Sequence, residues 1–383
     1  MKVCIDIQSA VTQRAGVGRY TSQLVRHLAP LCANDSLSLF YFDFKRKGAP
    51  LNAAFARHTS VRWCPGRLAS ALWKTLNWPT FQRFAGKADV YHFPNFVLPP
   101  LASDKSAAIA TIHDMSFMRL PLFAEERNEQ YLRRKIRRTV RRSDAIITIS
   151  EFSSREIQQF LQVDPRRVEV IYPGVDSRHF TAPPENTILR ALKEMGISKP
   201  YILTVGTLEP RKNIPFLIEL FEKTSRFDGT LVIAGAPGWK WTGIADRIKR
   251  SPKAQSIKWI SRVEDSRLPA LYAGAELFVF PSFYEGFGFP PLEAMSCSTP
   301  VVSSTGGSLA EVLDNGALLV DKYDTDEWLS AIDRALTDSD LRASLVKRGH
   351  EVVKRYSWRK TAERTWNLYR RLHEASSSVV RSP

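Results

Sequence analysis

The chain has 383 residues, which is too long for one ordinary core and predicts two domains of about 150–200 residues each. Hydrophobic residues make up 44% of the sequence and charged residues 25%, a composition that excludes a disordered, collagen-like or coiled-coil protein. The net charge is +16, and residues 1–180 carry most of it, with 27 basic against 15 acidic side chains. Such an excess favours polyanionic partners: nucleic acid, anionic lipid or phosphorylated substrates.

Hydropathy and cysteine spacing predict a cytoplasmic protein. No stretch approaches the roughly 20 uninterrupted apolar residues of a membrane span, and the N-terminus lacks the apolar core of a secretory signal. The four cysteines lie far apart, without a CxxC pair or neighbouring histidines. This pattern is typical of reduced thiols and argues against a disulfide framework or a zinc site.

Short apolar runs alternate with amphipathic segments along the chain, and each run predicts a strand. In the first half these are Val3–Ile7, Leu37–Phe42, Val90–Phe93, Ile109–Ile112, Ala145–Ile149 and Val168–Ile171. In the second half they are Tyr201–Val205, Leu231–Ala234, Ile257–Ile260, Leu277–Phe280 and Val301–Ser303. Alternating strands and helices predict an α/β fold with parallel, doubly wound sheets covered by helices on both faces.

The domain boundary is predicted in Pro173–Pro184, where Pro, Gly and polar residues concentrate. We therefore expect an N-terminal domain over residues 1–178 and a second domain over residues 179–357. From Asp338 onward the pattern is helical, and residues 358–383 are expected to form a helix that packs back on the N-terminal domain.

Open parallel sheets bind ligands at the carboxyl ends of their strands, so functional residues are expected in the loops that follow strands. The loop after the first strand contains Gly16 and Gly18 before a helix, where the backbone can approach an anion. The alternative is a tight turn without a ligand. His113 follows a later strand and can donate to substrate hydroxyls or shuttle a proton, the alternative being a structural histidine.

A basic loop follows the strand Tyr201–Val205. Gly206 permits close approach of a ligand, and Arg211 and Lys212 provide two adjacent cations near a helix start. Such a pair suits a diphosphate, whose spread charge needs more than one donor. The alternative is a solvated basic loop.

The strongest motif follows the strand Leu277–Phe280. Glu285 and Glu293 lie eight residues apart and bracket a glycine-containing turn, and the prolines between them suit a first helical turn. Carboxylates are good acceptors for the vicinal hydroxyls of a sugar or ribose, and the backbone around Phe287 and Gly288 offers N–H donors. A purely structural role is the alternative.

In this order and spacing, the motifs resemble those of the retaining glycosyltransferases of family 4. The resemblance covers nearly the whole chain and implies the GT-B architecture, with two facing Rossmann-like domains and a C-terminal helical crossover. The motifs are GVGRY at 16–20, HD at 113–114, ISEFS at 149–153, YPGVD at 172–176, GTLEPRKN at 206–213, the E-x7-E pair and YSW at 356–358.

The resemblance implies roles for the matching residues. Arg211 and Lys212 match the pair that holds the donor diphosphate and stabilises its departing charge. Glu293 matches the carboxylate that binds the nucleotide ribose, and Glu285 the one that contacts hydroxyls of the transferred sugar. His113 matches a residue that contacts the reacting sugar or the acceptor, which makes it a catalytic candidate beside Arg211, Lys212 and Glu285.

The resemblance also implies a wider donor site. Gly16 and Gly18 match the loop that approaches the donor phosphates and the acceptor, and Val263 falls where the family's backbone meets the base. The other implied donor-binding positions are Gly206, Gly286, Phe287, Gly288 and Leu292.

The implied reaction is transfer of a sugar from a nucleotide diphosphate with retention at the anomeric carbon. The sequence has no DxD motif in a suitable loop, so no cofactor or metal is expected and basic residues replace the cation. GDP-mannose is the expected donor and a glycan on a polyprenyl diphosphate or lipid the expected acceptor, with a UDP- or dTDP-sugar as the alternative donor. A sugar-nucleotide epimerase, a phosphorylase and a nonenzymatic scaffold remain as alternative functions.

The densest basic run lies in residues 133–142, where apolar residues form a narrow stripe on the opposite face of a predicted helix. One interpretation is a surface helix packed by that stripe. The other is peripheral contact with anionic membrane, on the inner face of the cytoplasmic membrane, with Phe117–Phe123 as an apolar insertion loop. Nucleic acid is not expected as a partner, because no recognition motif accompanies the charge. The proposed membrane-contact residues are Arg133, Arg134, Arg137, Arg138 and Arg141.

Overall fold

The computed structural model describes the chain except for residues 14–15, 33–34, 49–50, 52, 54–55, 103–104, 124–125 and 379–383, and it describes only the backbone of residues 122, 126–129 and 378. The chain divides into two compact units. The first unit comprises Met1–Met118, Glu126–Gly174 and Ser357–Pro383, and the second comprises Arg119–Glu125 and Val175–Tyr356. The short segment Arg119–Glu125 therefore belongs to the second unit, which the sequence did not predict.

The first unit is built on a seven-stranded sheet in which every neighbouring pair of strands is parallel. Its strands are β1 (Lys2–Asp6), β2 (Ser36–Phe42), β3 (Ala56–Val61), β4 (Val90–Phe93), β5 (Ala107–Thr111), β6 (Ala145–Thr148) and β7 (Val168–Val170). They lie in the order β3-β2-β1-β4-β5-β6-β7. The order reverses between β1 and β4. After β1 the chain forms the short helix α1 (Gln8–Thr12), and Gly16 then precedes the helix α2 (Val17–Leu28), whose first turn contains Gly18.

The second unit repeats the plan with a six-stranded parallel sheet. Its strands are β8 (Tyr201–Val205), β9 (Thr230–Ala234), β10 (Ile257–Ile260), β11 (Leu277–Phe280), β12 (Val301–Ser304) and β13 (Leu318–Val320), in the order β10-β9-β8-β11-β12-β13. The switch point lies between β8 and β11. The basic loop follows β8 and the glutamate loop follows β11, so the topology places the two strongest motifs side by side.

Helices cover the sheets. In chain order they are α1 (Gln8–Thr12), α2 (Val17–Leu28), α3 (Gly66–Thr75), α4 (Gln82–Ala85), α5 (Ser116–Arg119), α6 (Glu126–Arg142), α7 (Glu151–Leu161), α8 (Glu185–Glu194), α9 (Ile214–Lys223), α10 (Trp241–Lys249), α11 (Leu268–Ala273), α12 (Phe289–Ser296), α13 (Leu309–Leu313), α14 (Thr325–Thr337), α15 (Ser339–Val353) and α16 (Trp358–Ser378). The central strands β4, β5, β11 and β12 are buried along their whole length. The predicted parallel, doubly wound α/β architecture is therefore confirmed.

The C-terminal helix α16 belongs to the first unit, as its predicted packing requires. Its first residue, Trp358, packs edge-on against Tyr20 of α2, with ring centroids 5.7 Å apart. Gly174 lies so close that a Cβ there would be 2.0 Å from the backbone nitrogen of Trp358. Only glycine fits at this position, because the approach is backbone against backbone.

A buried histidine links α16 to the sheet. Both ring nitrogens of His92 on β4 are hydrogen-bonded, Nδ1 with the Tyr369 hydroxyl at 2.5 Å and Nε2 with the Thr111 hydroxyl at 2.8 Å. The His92 side chain is completely buried. Burial, with a smaller contribution from the neighbouring His113, lowers the pKa of His92 to about 3, so its imidazole is neutral in the folded protein.

This histidine makes stability depend on pH. The pKa of His92 is lower in the folded state than in the unfolded state, so protonation favours unfolding. The contribution of His92 to the free energy of unfolding should therefore be complete above about pH 6.5 and be lost as the pH falls toward 3. The expected slope is up to about 1.4 kcal/mol per pH unit. Urea unfolding of wild type and His92→Leu at several pH values measures the slope, which the variant should flatten. The exposed His58 provides a control substitution, and an unchanged slope in His92→Leu would contradict the assignment.

Candidate active site

The two cations of the basic loop are fixed by a tight turn after β8. Pro210–Lys212 forms one turn of 3-10 helix, and Asn213 adopts a left-handed conformation with φ of 53° before α9 begins. Lys212 is buried, and its ammonium lies 5.0 Å from the centroid of the Phe280 ring on β11. The loop therefore holds a cation inside the protein instead of exposing it to solvent.

Glu285 is positioned by the backbone of a neighbouring glycine turn. Its N–H donates to the Gly306 carbonyl at 3.2 Å, and its own carbonyl accepts from the Ser308 N–H at 2.9 Å. Gly307 lies between these partners with φ of +71°. These bonds fix the start of the glutamate loop, which runs into α12 through Gly288, a residue with φ of +98°.

The structure brings Arg211, Lys212 and Glu285 together as a buried ion-pair cluster. The Lys212 ammonium donates to Glu285 Oε1 at 2.6 Å, and Arg211 Nη1 donates to Glu285 Oε2 at 2.9 Å. Arg211 Nη1 also donates to the Tyr284 carbonyl at 2.5 Å. Bidentate pairing of one carboxylate with two cations is geometrically specific, and the Glu285 carboxylate cannot rotate without breaking a charged hydrogen bond.

A second carboxylate, Glu209, completes the cluster. Its Oε1 accepts from Arg211 Nη2 at 2.6 Å and from Nε at 3.0 Å, and its side chain is 3% exposed. Two carboxylates therefore face two cations. The guanidinium of Arg211 is held on one side by Glu209 and on the other by Glu285, which fixes its plane.

The surroundings push the pKa values of the two carboxyls in opposite directions. For Glu285, burial raises the pKa, but the positive charges of Arg211 and Lys212 outweigh burial and lower it to about 2. For Glu209, burial dominates and raises the pKa in spite of the same two cations, with the Glu285 charge adding to the rise. Glu285 is therefore a firmly ionised carboxylate at physiological pH.

Glu293 lies inside α12 and makes a different contact. Its Oε2 accepts from the Tyr272 hydroxyl of α11 at 2.9 Å, and the side chain is buried. The bond from Tyr272 orients the Glu293 carboxylate, and each carboxylate oxygen can accept more than one hydrogen bond.

The other predicted positions of the second unit lie in the loops after β8, β10 and β11 and in α12. Gly206 follows β8 with φ of +155°, and a Cβ there would lie 3.4 Å from the Lys212 side chain. Phe287 packs edge-on against Tyr356 at 5.1 Å, so its side chain belongs to the core and only its backbone suits a ligand. Val263 is half-buried in the loop after β10. Gly286 and Leu292 are buried in the glutamate loop and α12.

In the first unit, His113 follows β5 and is 7% exposed. Its Nε2 lies 2.8 Å from the Pro94 carbonyl and must therefore carry a hydrogen, and the ring packs edge-on against Tyr20 at 4.8 Å. Burial lowers the pKa of His113, although the Pro94 carbonyl and Asp114 oppose this. Gly16 has φ of +57° and precedes α2, and a Cβ on Gly18 would lie 2.1 Å from the Gln13 carbonyl oxygen.

The basic helix α6 packs by its apolar stripe. Ile136 and Val140 are buried, so the first interpretation of this helix describes its packing correctly. Arg134, Arg137 and Arg141 are exposed on it, whereas Arg133 and Arg138 are half-buried.

The prediction that Phe117–Phe123 forms an apolar loop that inserts into a membrane is wrong. Phe117 is buried in a core cluster of the first unit. Phe123 stacks on Phe283 at 5.1 Å in the second unit, and its carbonyl accepts from the Trp239 indole. Both phenylalanine side chains therefore pack against other residues of the protein. The apolar sequence pattern does not distinguish such packing from contact with lipid.

Comparison with known proteins identifies the family. Residues 14–179 match the family model described as Glycosyltransferase Family 4, and residues 191–352 match that of glycosyl transferases group 1. The chain is 30% identical to O-antigen chain mannosyltransferase B of Escherichia coli, over 97% of this chain and 100% of that protein. The chain belongs to glycosyltransferase family 4.

More distant relatives agree with this assignment. This family 4 glycosyltransferase is 29% identical to the D-inositol 3-phosphate glycosyltransferase of Salinispora arenicola, over 60% of this chain and 55% of that protein. Its structure superimposes on sucrose-phosphate synthase of Thermosynechococcus elongatus with a TM-score of 0.80, at 19% identity, covering 98% of this chain and 100% of the other. The GT-B fold is therefore confirmed.

Three residues of the candidate site were not predicted from the sequence: Glu209, Tyr272 and Gly307. Glu209 lies in the quoted motif GTLEPRKN, but nothing in its spacing distinguishes it from a solvated acid. Tyr272 and Gly307 come from other segments of the chain and reach Glu293 and Glu285 only through the tertiary fold. The only sequence feature that pointed to Glu209 is its position directly before Pro210, Arg211 and Lys212.

The glycine turn yields a test of how Glu285 is held. A Cβ on Gly307 would lie 2.3 Å from the Glu285 carbonyl oxygen, and its φ of +71° disfavours any other residue. Gly307→Ala should therefore destabilise the glycosyltransferase by about 1–3 kcal/mol and lower its activity further than this loss explains. Thermal unfolding and a transfer assay measure both effects. Gly243→Ala, in α10 with open space around the added methyl, should leave both unchanged or slightly raise stability, and equal effects of the two substitutions would contradict the account.

Proposed function

We propose that this protein is a retaining, metal-independent mannosyltransferase that moves mannose from GDP-mannose to a glycan carried on a polyprenyl diphosphate or another lipid. The proposal rests on the buried Arg211, Lys212 and Glu285 cluster in a chain that is 30% identical to an O-antigen chain mannosyltransferase over nearly its full length. That relative supports polysaccharide assembly as the process in which the enzyme acts.

The cations are proposed to carry most of the catalysis. Departure of GDP leaves negative charge on the β-phosphate, and Arg211 and Lys212 stabilise that charge from fixed positions with little solvent around them. Each Lys ammonium has three N–H donors. In the described part of the chain, Lys212 has one hydrogen-bond acceptor, Glu285, so its remaining donors suit the phosphate oxygens. No metal ion is needed for this role in the proposal.

The electrostatics of Glu285 favour same-face transfer over double displacement. A carboxylate that two cations stabilise, with a pKa of about 2, is a weak base and a weak nucleophile. Glu285 is instead proposed to accept hydrogen bonds from hydroxyls of the transferred mannose. The acceptor hydroxyl then attacks the face from which GDP departs, and its proton passes to the departing phosphate, which gives retention without an enzyme-bound intermediate.

The remaining residues are proposed to bind and orient the substrates. Glu293, held by Tyr272, accepts from the ribose hydroxyls of GDP, and the backbone of Val263 contacts the base. His113 is proposed to accept a hydrogen bond at Nδ1 from a hydroxyl of the acceptor or the reacting sugar. Its lowered pKa keeps the imidazole neutral, and its single N–H, on Nε2, donates to the Pro94 carbonyl.

Localisation at a membrane surface completes the proposal. The structure contains, in its described residues, no helix that is long and apolar enough to cross a membrane. The arginines of α6 are proposed to bring the cytoplasmic enzyme to anionic lipid on the inner face of the cytoplasmic membrane, where a lipid-linked acceptor would be found. No contact with nucleic acid is proposed.

A thermal-shift panel with GDP, UDP, dTDP and ADP, each with and without magnesium, tests the donor. A nucleotide present at about 100 times its Kd should stabilise the fold by about 2.7 kcal/mol. We expect a shift with GDP that does not depend on magnesium. A shift with UDP or dTDP alone would overturn GDP-mannose and favour the alternative donor, and no shift with any nucleotide would contradict a nucleotide-sugar site.

A further inference from the structure

A cavity of about 430 Å³ lies between α3 and α6 in the first unit. The side chains that line it come from one residue of α3, Lys74, and from a stripe of α6 at helical spacing. The stripe consists of Gln130, Tyr131, Arg134, Lys135 and Arg138. Four of these six side chains are cationic, and none of the described side chains that line the cavity is acidic.

The cations of this cavity are not neutralised by ion pairs within the described part of the chain. The Lys74 ammonium instead lies 4.3 Å from the centroid of the Tyr131 ring. Desolvation, together with the positive charges of Arg138 and Lys74, lowers the pKa of Lys135, as expected where like charges crowd together. Among the described residues, these cations therefore have no carboxylate partner, and a bound anion would balance their charge.

Exposed apolar side chains lie on the chain segment that supplies Lys74 to the cavity. Large hydrophobic residues are rarely left in water in clusters, and a cluster marks an interaction surface. The segment of residues 63–78 contains four of them, with exposed fractions of 72%, 52%, 66% and 54%: Trp63, Leu68, Leu76 and Trp78. The segment includes the whole of α3, which also supplies Lys74.

The exposed tryptophans are held in place by the residues around them. Trp63 stacks on Phe84 with ring centroids 5.5 Å apart, and the Arg83 guanidinium lies 5.7 Å from the Trp78 ring. The Trp73 indole donates to the Pro79 carbonyl at 2.8 Å, which ties the end of α3 to the turn that carries Trp78. These rings are therefore presented to the outside by a folded scaffold.

We propose that the cavity between α3 and α6 binds the phosphate of an anionic lipid headgroup, while Trp63, Leu68, Leu76 and Trp78 contact the bilayer interface beside it. The inference deepens the membrane contact of the proposed function and rests on it. Charge complementarity selects the headgroup, because the cavity offers four cations to a phosphate. Amphipathic tryptophan rings are enriched at the level of lipid headgroups, which suits the exposed rings of residues 63–78.

The test measures binding of the full chain to vesicles of phosphatidylcholine with phosphatidylglycerol by co-sedimentation. Lys74→Gln/Arg138→Gln removes two cavity charges. Arg137→Gln/Arg141→Gln removes the same charge from α6 at positions that do not line the cavity. General attraction to an anionic surface contributes about fivefold per basic residue, so both variants should lose about 30-fold in affinity. The cavity variant should lose at least several-fold more than the control, because it also loses direct contacts with the phosphate. Thermal unfolding checks that both variants fold.

The outcomes separate the cavity from the general membrane contact. Equal losses of vesicle affinity in the two variants would overturn headgroup binding in the cavity but not the electrostatic contact with the membrane. If the wild type did not bind vesicles at all, both proposals would be overturned. Equal binding to vesicles of phosphatidylcholine alone would also overturn the headgroup assignment. A Lys74- and Arg138-dependent thermal shift with inorganic pyrophosphate, without vesicle binding, would show a site for a soluble anion instead of a lipid.

The apolar part of the surface has its own readout. Brominated lipids quench tryptophan fluorescence over short distances, and vesicles that contain them should quench the wild type. Trp63→Ser/Trp78→Ser should lose most of this quenching and bind at least several-fold more weakly. Undiminished quenching in this variant would show that other tryptophans face the lipid and would overturn the proposed orientation.

Discussion

Replacement of Lys212 by methionine should lower the rate of sugar transfer by about 100–1,000-fold, which corresponds to about 3–4 kcal/mol of barrier. Methionine keeps much of the length of the side chain and its packing against Phe280, but it removes the buried ammonium. The charge that develops on the departing diphosphate then loses a fixed cationic donor. Because Arg211 still pairs with Glu285 at 2.9 Å, the glutamate is not left as an isolated buried charge.

Steady-state kinetics with Lys212→Met measure this effect. Since the proposed interaction strengthens as GDP departs, most of the loss should appear in kcat and a smaller part in KM. Lys223→Met is the matched control, because Lys223 lies on α9 and pairs with Glu219 at 2.7 Å on the surface. A tenfold or smaller loss of kcat in Lys212→Met, with a normal Tm, would show that Lys212 does not carry the proposed role.

Glu285→Gln is the second substitution with a large expected effect, and it should separate transfer from nucleotide binding. The amide keeps the shape of the side chain but loses the negative charge between Arg211 and Lys212. Transfer should fall by about 100–1,000-fold, because the proposed acceptor of the sugar hydroxyls is weakened and the two cations lose their shared anchor. Affinity for GDP should stay the same or rise, since a negative charge beside the diphosphate site has been removed.

Calorimetric titration of GDP alongside kinetics of Glu285→Gln distinguishes this account from a merely structural role. A structural role predicts that GDP affinity and transfer rate fall together, and that result would contradict the assignment. Glu219→Gln removes an exposed carboxylate of the same unit and should change neither quantity. The pKa of about 2 adds a further expectation, because loss of activity down to pH 5 cannot come from protonation of Glu285.

The sequence predicted those strands whose own residues carry a clear apolar pattern. Every strand that lies between two others in its sheet was predicted, since both faces of such a strand are buried and its residues are mostly apolar. The edge strands β3, with sequence ARHTSV, and β13, with sequence LLV, were missed. An edge strand is partly exposed and polar, or too short for its pattern to differ from a loop.

The same limit applies to the candidate site. The motif positions predicted that Arg211, Lys212 and Glu285 follow strands, at the carboxyl ends where an open parallel sheet binds ligands. That the two strands are neighbours at a switch point was shown only by the structure. It could not predict that Glu209 holds Arg211 from the other side, since that pairing depends on how a single turn of 3-10 helix directs its side chains. Nor could it predict that Phe123 packs on Phe283, because apolar residues have the same pattern whether they meet protein or lipid.

Transfer of labelled mannose from GDP-mannose tests the central claim most directly. The purified enzyme would be incubated with GDP-[14C]mannose and bacterial membranes that contain lipid-linked glycans, in the presence of EDTA, and the label in the lipid extract would be counted. The account predicts incorporation that EDTA does not reduce and that Lys212→Met abolishes. Incorporation only from a UDP-sugar, or only with added metal, would contradict it.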